Sequence, residues 1–390
     1  MQGGIRLGRV FGIDIRVDWS WLLVFLLVTW NLGTTFGQFH SDWGATLRWG
    51  LAIAAALLFF GSVLGHELAH SVVAQARGVT VQSITLHLFG GVSSIERDPD
   101  SPQGEFWMAI LGPITSIVLG GILLFIAGVR GGPMAAVNNP GEVISQLRPL
   151  TMMLLWLGSV NVTLGIFNLI PGFPLDGGRV LRSILWAITD DVRRATHWAS
   201  WVGQGIAWLM IVGGVSMAFG ARIPVFGSGF TNGLWLAFIG WFLNSASAQS
   251  YQKVVLQNTL EGVPVKRMMR REPPTVSPEI SVSDLVHDRV MGTDDHAFPV
   301  LDQRGVVGIV TLEDVRSVPH DSWGSTRVQQ IMTPIDELTS VGIDEDGAKA
   351  MNKLSDRDVR LLPVLSNGNL AGVLRRRDII RWLRLHSEAM

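Results

Sequence analysis

The sequence predicts a chain that lives in two solvents: an α-helical membrane domain of about six transmembrane helices, followed by a smaller α/β domain in water. Three observations carry this reading. Residues 1–250 hold 13 basic and 12 acidic residues, whereas the last 140 hold 18 and 20, and all four lysines (Lys253, Lys266, Lys349, Lys353) fall in the second part. The first part contains six apolar runs, about 19–37, 50–75, 106–128, 150–169, 198–219 and 231–248, each near the roughly 20 helical residues that cross about 30 Å of hydrocarbon. The second part repeats itself with a period of 63 to 64 residues, which marks a duplicated domain and not a short solenoid repeat. Composition narrows the chemistry further. The absence of cysteine excludes disulfide scaffolds, thiol catalysis and cysteine-ligated metals. A net charge of -1 gives no electrostatic case for nucleic acid as a partner.

Taken in order, Ile5 to Val17 alternates in part between apolar and charged residues and predicts a short strand-like stretch at the surface. The run at 19–37 has no A-x-A-like cleavage site and is followed closely by another span, so it reads as an anchor rather than a removable leader. Trp19, Trp21, Trp30, Trp43, Trp49, Trp107 and Trp235 sit at or near the ends of the apolar runs, where an amphipathic ring prefers the headgroup level. With the N-terminus inside, the inner segments hold Arg6, Arg9, Arg16, Arg77, Arg97, Arg179, Arg182, Arg193 and Arg194. The outer ones hold Arg48, Arg130, Arg148 and Arg222. This bias places both termini in the cytoplasm of a multi-pass protein of the cell membrane.

The second run contains His66-Glu67-Leu68-Ala69-His70. On a helix the i, i+4 spacing puts both imidazoles on one face, with a carboxylate beside them that can act on a water held there. Ionisable groups in an apolar span are costly and mark function. The competing reading is a pair of histidines satisfied by neighbouring helices. A catalytic zinc takes three protein ligands, and His40, His87 and His197 are poorly placed to supply the third. Asp176, in Asn168-Leu-Ile-Pro-Gly-Phe-Pro-Leu-Asp-Gly-Gly-Arg179, is the better candidate. Taken alone it would pass for a helix cap. However, the second and fourth runs share a direction, which brings His66, His70 and Asp176 to similar depth near the cytoplasmic ends of their helices.

These paired motifs resemble the site-2 protease family of intramembrane zinc metalloproteases, over about residues 1–250. The resemblance implies one zinc held by His66, His70 and Asp176, Glu67 as general base, and a substrate protein with a transmembrane helix. It also implies that Asn168 lies near the metal, where its amide would steady a substrate carbonyl; an amide bridging two helices is the alternative. It further assigns Thr80 to Ser94 to a small membrane-associated β-sheet beside the site. Val81, Ile84, Leu86 and Leu88 suit strands, and Gly90-Gly91 suits a turn.

A linker at 251–262 leads to the repeat. Val265-Lys-Arg-Met-Met-Arg270 recurs as Val328-Gln-Gln-Ile-Met-Thr333, and Phe298-Pro-Val-Leu301 as Leu362-Pro-Val-Leu365. Gly308-Ile-Val-Thr-Leu-Glu-Asp-Val315 recurs as Gly372-Val-Leu-Arg-Arg-Arg-Asp-Ile379. Each copy, 263–322 and 326–386, reads strand, helix, strand, strand, helix. The pair resembles CBS (cystathionine beta-synthase) modules, which implies packing as a pseudo-dimer, an adenine nucleotide as ligand, and homodimer formation. The family's ribose-contacting Thr-x-x-Asp is matched by Thr311 and Asp314. In the second copy only Asp378 matches, because Arg375 replaces the threonine. A CBS-regulated transporter and a non-catalytic membrane adaptor are the competing readings. The first lacks the expected similarity between 1–125 and 126–250, and the second does not explain an intact set of ligands and base.

Overall fold

The computed structural model describes residues 4–87, 90–95, 99, 101–131, 147–223, 227–291, 293, 295–303, 305–356, 359, 361–366 and 369–387. The chain divides into two compact units, Met1–Gln252 and Lys253–Met390.

The first unit opens with strands β1 (Gly4–Val10) and β2 (Ile13–Asp18), which pair antiparallel. The stretch expected as a single strand-like segment is therefore a hairpin. Phe11 and Gly12 turn it, at φ 51° and 80°, the positive-φ pair that matches the twist of a two-residue turn. Strand β3 (Val81–His87) adds parallel to β2, and β4 (Gly90–Ile95) antiparallel to β3, giving the order β1-β2-β3-β4. Gly90 and Gly91 are not the turn. They open β4, opposite His87 and Leu86, and residues 88–89 that join the strands lie outside the described residues. One face of the sheet buries Ile13, Ile15, Val81 and Ile84 together with Ala74 and Met108.

The helices are α1 (Trp19–Phe39), α2 (Ala45–Ala76), α3 (Pro102–Gly131), α4 (Pro149–Asn168), α5 (Asp176–Thr189), α6 (Val192–Ala218) and α7 (Phe230–Leu260). Asp18 caps α1 by accepting from Ser20 N at 2.9 Å; hydrogen bonding from Ser20 holds its carboxyl below the usual carboxylate range. Among the described residues, α1, α2, α3, α4 and α6 are long and apolar enough to cross a bilayer. Exposed Leu22, Leu23, Leu26 and Leu27 on α1, and Trp208, Leu209 and Val212 on α6, give them outward apolar surfaces. The sixth expected run falls in α7, whose Asn232, Asn244, Ser245 and Ser247 lower its apolarity below that of the other five. Helix α7 continues to Leu260, so most of the segment read as a linker is helical.

Helices α3 and α4 meet backbone to backbone. A Cβ on Gly120 would come within 2.7 Å of Gly158 O, and one on Gly165 within 2.8 Å of Pro113 O. Small residues at such a seam let helices gain packing where water supplies no driving force.

The second unit contains two three-stranded sheets. In the first copy, α8 (Val282–Leu285) is started by a Ser281–Asp284 capping box, and the hairpin β5 (Ala297–Asp302) and β6 (Gly305–Thr311) leads to α9 (Leu312–Ser317). The expected first strand is reduced to a single parallel bridge, Val276 to Val300. In the second copy, β8 (Val341–Gly342), α10 (Gly347–Asp356), β9 (Leu361–Ser366), β10 (Asn369–Arg375) and α11 (Arg376–Ser387) follow the expected order. The copies interlock. Thr333, in the two-residue β7 (Thr333–Pro334), pairs with Ile309 of the first hairpin, and its repeat counterpart Arg270 pairs with Val373 of the second. Ala297, Ile309, Leu361 and Val373 form the shared apolar core.

Candidate metal centre

Helix α2 supplies the first two side chains. Its i, i+4 geometry stacks His66 and His70 on one face, ring centroids 4.8 Å apart, and both are buried. The third comes from a chain reversal. After α4 ends at Asn168, Pro171 and Pro174 interrupt helix formation, and α5 begins at Asp176 itself, with Leu175 as a cap that makes no side-chain bond. The Asp176 carboxylate is thus not used to cap its own helix. It reaches back to α2, with Oδ2 3.1 Å from His66 Nε2 and 3.2 Å from His70 Nε2, while the two Nε2 atoms are 3.1 Å apart. Among the described residues this is the one group of three that could hold a metal ion.

The triangle fits zinc. Ligands about 2.0–2.1 Å from a tetrahedral zinc lie about 3.3 Å from one another, close to all three separations. The outer ring nitrogens are fixed as well. His70 Nδ1 lies 2.5 Å from Met108 O, an acceptor only, so Nδ1 carries the proton and Nε2 offers its lone pair to the centre. His66 Nδ1 is 2.9 Å from Ser116 Oγ. The space in front of the rings is kept open by Gly112 of α3, where a Cβ would lie 2.1 Å from His70 Nε2 and 2.8 Å from His66 Nε2. Glu67, half-buried and next in sequence to His66, meets Ser93 Oγ of β4 at 3.3 Å.

Sequence reasoning therefore named all three converging side chains and the neighbouring carboxylate. It missed Met108, Gly112, Ser116 and Ser93, since nothing in their spacing separates them from ordinary span and strand residues. Asn168 ends α4 and donates from Nδ2 to Leu164 O at 3.1 Å, a bond within its own helix. His40 stacks on Trp43, His197 packs edge-on against Tyr251, and His87 in β3 is 3.7 Å from Asp18.

The model of peptidase family M50 matches residues 54–212, and the CBS domain model matches 265–321 and 328–385. Rip3 of Mycobacterium tuberculosis, which bears a zinc metalloprotease name, is 33% identical over 392 residues, covering 99% of this chain and 94% of the relative. The chain belongs to the site-2 protease family. It is a zinc metalloprotease with a helical membrane region and a CBS pair. The similarly named sll0528 of Synechocystis is 33% identical over 387 residues, covering 98% of this chain and 96% of the relative. The solved site-2 protease from Methanocaldococcus jannaschii is 29% identical and covers 64% of this chain and 95% of that one, with a TM-score of 0.41.

In the CBS pair, Thr311 and Asp314 face each other at the start of α9. Thr311 donates from Oγ1 to Asp314 Oδ2 at 2.8 Å and accepts from Asp314 N at 3.2 Å, a complete capping box. Asp378 instead lines a cavity of about 630 Å³ with Arg267, Arg270, Asp295, Arg375 and Arg377. Arg375 clamps Asp378 with Nε to Oδ2 at 2.7 Å and Nη2 to Oδ1 at 2.8 Å. Buried Asp295 takes Arg270 at 2.7 Å and also pairs with Arg375 and Arg377. Thr311 and Asp314 are not among the residues lining this cavity.

Proposed function

We propose that this site-2 protease family member is an intramembrane endopeptidase that cuts transmembrane substrate proteins within or near the bilayer, using one zinc on His66, His70 and Asp176. The observation that carries the reading is the convergence of two imidazoles and a carboxylate at 3.1–3.2 Å on helices of the apolar unit, with Glu67 adjacent. Zinc in such a site acidifies water and polarises a carbonyl. Glu67 takes the water's proton as general base and later delivers it to the leaving amine. Ser93 holds Glu67 toward β4, and β4 has β3 as its one strand partner among the described residues. A substrate segment unwound from its helix would add to that edge, recovering hydrogen bonds for backbone groups freed in an apolar setting. The Asn168 amide is assigned a supporting role toward the substrate carbonyl, through the second N–H of the Nδ2 group that donates to Leu164 O.

The organisation proposed is a protease domain over 1–250, a connection over 251–262 and CBS modules at 263–322 and 326–386. The loop-charge bias supports cytoplasmic termini in the cell membrane. The CBS pair is proposed to bind an adenine nucleotide through Thr311, Asp314 and Asp378, to regulate cleavage, and to mediate homodimer formation. A nucleotide would regulate only to the extent that it binds two arrangements unequally.

The test compares membrane-protein fragments from cells carrying the wild type and Glu67→Gln. The variant is expected to keep its zinc and lose about 10²- to 10⁴-fold in cleavage, the usual contribution of a general base. Undiminished cleavage of a membrane substrate by Glu67→Gln would refute the mechanism.

A further inference from the structure

A buried ion pair lies outside the three ligands but is tied to two of the elements that hold them. Glu105, in the first turn of α3, is 0% exposed and Arg182 of α5 is 7% exposed. Arg182 Nε donates to Glu105 Oε1 at 2.7 Å, and Nη2 reaches the same oxygen. Arg179 Nε stands 3.7 Å from it. The Arg182 guanidinium also lies over the ring of Phe173, 5.4 Å from its centroid, and Phe173 belongs to the loop that delivers Asp176.

Both partners sit on the path to the metal ligands. Glu105 is one helical turn ahead of Met108, whose carbonyl orients His70, and two turns ahead of Gly112, which faces both Nε2 atoms. Arg182 is six residues beyond Asp176 in a helix of only 14 residues. That helix is reached through a proline-containing series of tight turns (Leu175 N to Gly172 O, Gly178 N to Leu175 O), so loop and helix start move together and the carboxylate's position also depends on how α5 is seated against its neighbours. A buried ion pair is weak evidence for stability, because desolvation offsets its attraction and apolar replacements are often neutral. What the pair supplies here is register between α3 and α5.

We infer that Glu105 and Arg182 are positioning residues for the zinc site, clamping α5 to α3 so that Asp176 is held against the His70 face of α2. This rests on the zinc reading above. Outer-sphere partners of metal ligands typically change metal affinity by about 10- to 100-fold when removed, and the clamp acts one step further out on two elements at once.

The test uses the full chain in detergent and measures zinc affinity by competition with a chromophoric chelator, alongside the visible spectrum of the cobalt(II)-loaded protein. Glu105→Gln and Arg182→Lys should each weaken zinc binding by about tenfold or more and alter the cobalt bands, as expected for a displaced carboxylate ligand. The exchanged pair, Glu105→Arg with Arg182→Glu, should recover part of the loss. Should Glu105→Gln fail to fold, Arg182→Lys keeps the charge and removes only the fork geometry, so the comparison still stands. Wild-type affinity and spectrum in a folded single variant would overturn the inference, as would an affinity loss with unchanged cobalt bands. His66→Ala/His70→Ala is the separate control. Zinc retained at full occupancy there would overturn the zinc reading itself, whatever the clamp variants do.

Discussion

Asp176, Asp314 and Asp378 each stand in the first turn of a helix, and they end in different chemistry. In the CBS pair Asp314 is consumed by its own helix start, exchanging hydrogen bonds with Thr311, and Asp378 is held at both oxygens by Arg375. In the protease region Asp176 has no capping duty and spends its carboxylate on two imidazoles of another helix. An aspartate at a helix start becomes a site when its backbone does not need it and its partners come from elsewhere in the chain.

The largest expected effect breaks the protease side of this contrast by steric means alone. Gly112→Ala puts a methyl group 2.1 Å from His70 Nε2. The variant should fold, since alanine suits a helix better than glycine by about 1 kcal/mol, yet lose most of its zinc and proteolysis. Metal analysis of the purified variant checks this; full zinc occupancy would mean that the imidazoles do not point where the structure has them.

A smaller effect is expected from making the two CBS copies alike. Arg375→Thr recreates Thr-x-x-Asp ahead of Asp378 and frees its carboxylate from the guanidinium. AMP affinity measured by calorimetry should rise by about tenfold, or about 1.4 kcal/mol. No gain would mean that the arginine is not what distinguishes the second copy from the first.

Smaller again is the cap itself. Thr311→Ala should cost about 1 kcal/mol of stability in the second unit, the usual loss for an N-cap hydroxyl, read from urea unfolding. A nucleotide bound through Thr311 would add a ligand-dependent loss on top, so the same variant measured with and without AMP separates cap from contact.

The smallest concerns pH. Hydrogen bonding from Ser281 holds the exposed Asp284 carboxyl below the usual carboxylate range. Its capping box therefore stabilises the first copy at neutral pH, and that contribution is lost as pH falls through the lowered folded value, below about pH 4. Asp284→Asn should flatten this part of the acid unfolding curve, and an unchanged curve would remove the capping box from the account.

What was legible in the sequence follows from how each feature is encoded. His66 and His70 could be read because helical periodicity is local, and Asp176 because prolines and glycines mark a chain reversal wherever they occur. The repeat announced itself by direct comparison of its copies. Three features resisted. The hairpin at Phe11 and Gly12 was hidden because its turn lacks the usual Asn-Gly or Asp-Gly signal. Helix α5 was hidden because 14 amphipathic residues carry no span signature. The pairing of Glu105 with Arg182, 77 positions apart, depends on tertiary contacts that no local pattern records.

The seam between α3 and α4 has a bearing on how a protein substrate gets in. Where Gly120 meets Gly158, and Gly165 meets Pro113, the two backbones come so close that a Cβ would strike main-chain oxygen, with Leu124, Ile117 and Val162 packed alongside, so the seam is closed by main chain and not by side chains alone. Admitting a third helix would mean prying apart two main chains along several turns. If the substrate is a transmembrane helix, as proposed, its lateral entry would use a different wall of the bundle. Cross-links that staple α3 to α4 should leave turnover intact, while a staple across the true entrance should stop it.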